Sequence, residues 1–124
     1  MRAQLEDHEL GGFFAAPTDG TQTIIARRKP LEDNAVAAQF LYSLGIATKD
    51  ETLKGAALKS VRATALPEIM RREGKVTGNL AVALELLSAG YVEFSDLGDP
   101  NDAAAGQLLS AAQRVYEPRK VVHF

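Results

Sequence analysis

Arg27, Arg28 and Lys29 stand directly before Pro30, and Glu32, Asp33 and Asn34 follow at once. Cations, carboxylates and an amide crowded into one short stretch suit the binding of an anion or a sugar. The planar fork of Arg28 matches a carboxylate or phosphate, Lys29 adds a second cation, Asp33 is an acid or base, and Asn34 binds hydroxyls. A helix beginning here would bring free backbone N–H groups and a positive dipole end to the same mouth. Arg28, Lys29, Glu32, Asp33 and Asn34 are therefore the candidate ligand-binding residues, with carbohydrate or another small molecule as ligand. Catalysis is a poorer fit. Glycoside cleavage needs two carboxylates flanking a bond, whereas the neighbours Glu32 and Asp33 point about 100° apart on a helix. No catalytic residue is assigned, and the chain alone reads as a non-enzyme. A plainer use of the same residues is structural: Glu32, Asp33 and Asn34 cap the helix and Arg28 pairs with them.

Other groups offer less. Gly98-Asp99-Pro100 precedes a helix, but Pro100 removes a donor, Asp99 and Asp102 repel anions, and no nucleotide-binding glycine motif is present. His8 and His123 are the two histidines, neither has a second ligand at metal-binding spacing, and no cysteine exists to supply a thiolate, disulfide or zinc–sulfur site. No metal and no cofactor is expected. Arg27-Arg28-Lys29, Arg71-Arg72 and Arg119-Lys120 are short, the first two bordered by acids, and none is interleaved with the aromatic platform of single-strand binders. They read as solvated surface or salt-bridge partners, with no nucleic acid expected.

The elements that must position these residues follow from periodicity. Phe13-Phe14-Ala15-Ala16, the turn residues Pro17-Thr18-Asp19-Gly20 and the β-branched Thr21-Gln22-Thr23-Ile24-Ile25 predict a hairpin that delivers the chain to Arg27. Val36, Phe40, Leu41 and Leu44 recur at helical spacing from Leu31, and Gly45 stands where a helix would stop. Asp50 caps a second, amphipathic helix with Leu53, Ala57, Leu58, Val61 and Ala65 on its apolar side, running to Leu66 and Pro67. Asn79 to Ala89 is apolar on nearly every side, which predicts a buried third helix ended by Gly90. Tyr91 to Ser95 alternates as a strand, Asp99 and Pro100 open a fourth helix to about Tyr116, and Lys120 to Phe124 closes as a strand. A helix between two short strands predicts a parallel βαβ unit over residues 91–124.

At 124 residues, 46% hydrophobic and 24% charged, the chain has the makings of one folded domain and not of a disordered or collagen-like segment. Its formal net charge of −2 supplies no general drive toward nucleic acid or anionic membrane. No apolar run approaches the roughly 20 residues that span a bilayer, and the opening residues are polar and acidic instead of signal-like. The mature chain is expected to start here and to be cytoplasmic, with no membrane partner.

With these pieces placed, the chain resembles the C-terminal part of the thioredoxin-domain-containing, spermatogenesis-associated thioredoxin-like proteins and their bacterial relatives. The residues that carry the resemblance are Gly11-Gly12-Phe13-Phe14, Arg28-Lys29-Pro30-Leu31-Glu32-Asp33-Asn34-Ala35, and Asp99-Pro100-Asn101-Asp102 up to Pro118-Arg119-Lys120-Val121-Val122. The resemblance implies a helical region similar to the six-hairpin α/α barrels of sugar-processing enzymes, followed by a small βαβ appendage. The thioredoxin-like part with its cysteines is absent, so its redox activity is not carried over. The fold class expected is α+β and mainly helical: an N-terminal β-hairpin, about three core helices of an incomplete α/α-barrel-like region, and a C-terminal βαβ unit, all as one domain (1–90 and 91–124). The role implied is a non-catalytic packing or interaction module that self-associates or completes a larger protein, the alternative being carbohydrate or small-ligand binding. An open apolar face of Val36, Phe40 and Leu44 would favour the first, and a closed cleft joining Arg28, Asp33 and Asn34 the second.

Overall fold

The computed structural model describes residues 2–17, 28–74, 77–95, 98–99 and 101–123. It is α+β and mainly helical, in two compact units, Met1–Ser88 and Ala89–Phe124.

The first unit is built on a long helix packed against its successor. A short α1 (Arg2–Leu5) leads through a loop to α2 (Leu31–Thr48), α3 (Glu51–Thr64), α4 (Pro67–Glu73) and α5 (Gly78–Ala89). Leu31, Ala35, Ala38 and Leu41 fall three or four apart on one face of α2, and they meet Ala56, Ala57 and Val61 of α3 with Leu80 and Ala83 of α5. Alanines on both helices let the backbones approach closely. Ser60 and Thr64 are buried with them, satisfied by donating to the carbonyls of Ala56 and Ser60 at 2.9 Å each.

Several boundaries differ from expectation. Gly45 does not end the first long helix; α2 runs on to Thr48 and ends with Lys49 in the left-handed conformation (φ 57°), Lys49 N–H donating to Ile46 O and Asp50 N–H to Gly45 O. Gly45 serves packing instead, because a Cβ there would lie 2.9 Å from both Asp50 O and Lys54 Cγ. Asp50 caps α3 as predicted, accepting from Thr52 N–H at 2.8 Å. Leu58, placed on the apolar side, is 38% exposed; the buried stripe is Ala56, Ala57, Ser60, Val61 and Thr64. Pro67 starts α4, a helix not anticipated, in the first position that tolerates its missing N–H. The α5 helix is covered on one side only: Leu80, Ala83 and Leu86 are buried while Val82 and Leu84 are exposed. Phe13 forms an isolated antiparallel bridge with Glu6, and Ala15 N–H donates to Arg28 O at 2.9 Å; of the predicted hairpin, the turn residues after Pro17, Thr18–Gly20, and the return strand Thr21–Ile25 lie outside the described residues.

The second unit contains β1 (Val92–Ser95), α6 (Ala103–Arg114) and β2 (Lys120–His123). The strands pair in parallel, Val92 opposite Lys120 and Phe94 opposite Val122, as the intervening helix requires. The N-cap of α6 is Asp102, which accepts from Ala104 N–H at 3.0 Å, and not Asp99, whose carboxylate closes a turn onto Asn101 N–H at 2.9 Å. Phe94 and Val122 join Leu108, Leu109 and Ala112 around an apolar hollow of about 210 Å³, so the second strand meets α6 through Val122. Lys120, on the same register, donates to the carbonyls of Ala112 (3.1 Å), Val115 (2.7 Å) and Gln113 at the end of α6.

Candidate functional site

The loop that carries Gly11-Gly12-Phe13-Phe14 is closed by an aspartate. Asp7 Oδ1 accepts the backbone N–H groups of Glu9 and Leu10 at 3.0 Å, while the Asp7 carbonyl accepts from Gly11 and its N–H donates to Gly12 O. Its other oxygen pairs with Lys29 Nζ at 2.8 Å, both side chains 15% exposed. The Lys29 hydrogen bond, reinforced by the Leu10 N–H, holds the Asp7 carboxyl at about 2. Lys29 also donates to Gly11 O at 2.6 Å and stands 5.0 Å over the Phe14 ring.

Gly11 and Gly12 adopt φ of +79° and +80°. A Cβ on Gly11 would fall 2.7 Å from Lys59 Cβ, and one on Gly12 would fall 2.9 Å from Asn34 Oδ1. The pair is thus required twice, by conformation and by closeness to α3 and α2. Beside them Asn34 is wholly buried and acts as a strand partner for Phe13: Oδ1 accepts Phe13 N–H at 2.6 Å, and Nδ2 donates to Phe13 O at 2.9 Å and to Pro30 O at 2.7 Å.

The five predicted site residues therefore part company. Asn34 turns into the core. Glu32 reaches α5, where Oε1 accepts from Asn79 Nδ2 and Oε2 is buried with no hydrogen-bond partner; Gln39 donates to Asn79 O alongside. Asp33 faces solvent and makes no side-chain hydrogen bond among the described residues. The N-cap of α2 is Pro30, with no side-chain cap, and Arg28 makes no ion pair among the described residues, so the capping-and-pairing role expected of Arg28, Glu32, Asp33 and Asn34 is not what holds this turn. The physical reason is helical geometry: successive residues diverge by about 100° and cannot converge on one point.

Arg28 and Lys29 do share a cleft of about 340 Å³ with Asp7 and Arg72. Its apolar wall is Leu10, Phe14, Ala63 and Ile69, drawn from the loop, α3 and α4. Arg72 is exposed and meets Glu73 at 3.4 Å, in keeping with its expected role as solvated surface or salt-bridge partner, but its place in this cleft was not expected, nor was any role for Asp7. Pro67 with two arginines one turn later was the available signal for α4, and Asp7 ahead of Gly11-Gly12 the signal for an aspartate-closed turn. Among the described residues no three of His, Asp and Glu gather as a metal site, and no helix is long and apolar enough to cross a membrane. No protein-family model, curated protein or solved structure matches the chain.

Proposed function

We propose that this chain is a non-catalytic packing and interaction module, the role implied by its resemblance to the C-terminal part of the thioredoxin-domain-containing proteins. In this reading α2 and α3 are one hairpin of an incomplete α/α-barrel-like layer. The outer face of α2 docks on an apolar helix face of a partner; in a preparation of this chain alone, the nearest such face is the same helix of a second copy.

One observation carries the reading. Val36, Phe40 and Leu44, opposite the buried face of α2, are 50%, 60% and 36% exposed. Spaced four residues apart, these three form a ridge of the kind that sits in the groove of another helix, and a helix apolar on both faces calls for cover on both. Burial contributes roughly 25 cal/mol per Å², so several hundred Å² are enough to hold a complex. A carbohydrate site gains no comparable support, since Glu32, Asp33 and Asn34 point three ways and no pair of carboxylates flanks the cleft among the described residues.

Sedimentation of the intact chain over a concentration series tests the proposal. Reversible self-association, abolished by Phe40→Glu without loss of thermal stability, is expected. A strictly monomeric species at high concentration that binds no apolar dye overturns it.

A further inference from the structure

We propose that the cleft beside the Asp7 turn binds a small organic carboxylate with an apolar body. The inference goes beyond the docking reading and uses none of its residues. Two of the four charged groups that line the cleft among the described residues are already committed to each other: Lys29 is held by Asp7 and by the Gly11 carbonyl. That leaves two guanidinium groups. Arg28 is exposed and makes no ion pair among the described residues, while Arg72 meets Glu73 Oε1 only at 3.4 Å with 60% of its side chain exposed. Arg71 next to it is spent on its own helix, donating to Pro67 O at 3.2 Å.

Leu10, Phe14 and Ile69 line the same cleft as the two arginines. Planar forks select a planar oxyanion, and apolar walls select what is attached to it. A free inorganic anion would leave those walls wet, and a sugar would leave them unmatched. The volume of about 340 Å³ lies at the small end of the range for ligand sites, which begins at about 300 Å³, and so fits a single ring or a short branched chain. The walls are fixed in advance. Phe14 N–H donates to Leu5 O, Ala15 N–H donates to the carbonyl of Arg28 itself, and Lys29 clamps the loop, so little ordering is left for the ligand to cause.

An NMR titration of the full chain with phenylacetate is the test, with phenyl phosphate, 2-phenylethanol and glucose as comparison arms. Phenylacetate is expected to shift the Leu10, Phe14 and Ile69 signals saturably. The neutral alcohol should bind about tenfold more weakly, and Arg28→Gln or Arg72→Gln should each cost phenylacetate about tenfold, or about 1.4 kcal/mol. Arg62→Gln, at an exposed position of α3 that does not line the cleft, should change nothing. The site is overturned if no saturable shift occurs at those three residues, if the alcohol or glucose binds as well as the acid, if both arginine variants bind normally, or if phenyl phosphate binds and phenylacetate does not. None of these outcomes bears on self-association, which sedimentation reads separately.

Discussion

Asn34 and Asp33 are neighbours with opposite fates, and the difference is measurable. Removing the Asn34 amide strands the Phe13 N–H and carbonyl beneath the loop, and each buried group left unpaired costs about 1–3 kcal/mol. Asn34→Ala is therefore expected to destabilise by about 3 kcal/mol, and Asp33→Ala, in the exposed first turn, by less than about 0.5 kcal/mol; paired thermal melts check the contrast, and equal losses would refute it. This asymmetry was partly legible. Asn34 lies three residues from Leu31 and four from Ala38, on the apolar face, where a polar side chain is more often a satisfied core residue than a ligand contact. Asp7 supplies a pH dependence to the first unit. Its folded-state pKa, about 2, is lowered, so the Lys29 pairing stabilises the fold fully above the ordinary carboxylate value of about 4 and is lost as pH falls from there toward 2. Acid titration of stability should show that loss, and Asp7→Asn should flatten it. A stability profile identical in the variant would mean the pairing contributes nothing.

At the scale of elements, the parts that read cleanly were those with one physical solution. Asp50 stands directly before the helical run of α3 and caps it, and a short strand, a helix and a second short strand supply the crossover that a parallel pair needs. The parts that misread had two local solutions of similar quality. Asp99 and Asp102 are each able to accept a backbone N–H two residues on, and both do; only the second begins a helix. Gly45 satisfies both the rule for a helix end and the need for close packing, and the neighbouring turn decides for packing. The apolar sequence of α5 implied full burial, but apolar composition reports what a helix would cover, not whether a neighbour is there to cover it. Lys120 shows an element held by a side chain from another. Its three carbonyl contacts close the end of α6, so Lys120→Met, which retains the stem and removes the cation, should destabilise the second unit by about 1 kcal/mol. Unchanged amide protection at the end of α6 would show that the cap is idle.

Taken whole, the two units are unequal in what they bury. Among the described residues, the first holds a cluster of buried side chains running from Phe13 to Ala83, whereas the second has one buried apolar residue, Ala105, and leaves Leu108, Val115 and Tyr116 at 63%, 45% and 92% exposure. A unit below about 40 residues without disulfide or metal usually lacks the core to stand firmly, and the second unit is shorter than that. Among the described residues its sheet has two strands, so each backbone ladder has one side to hold it. Opening free energies should therefore differ along the chain. Native-state hydrogen exchange is expected to find the amides of α2 and α3 exchanging only through global unfolding, and those of β1, β2 and α6 exchanging through a separate opening that costs less by several kcal/mol. Denaturant curves followed by probes in the two units should then fail to coincide, since cooperative all-or-none unfolding requires elements that lose their packing together. Uniform protection across both units, with superimposable transitions, would show that the second unit draws its stability from burial that its own residues do not supply.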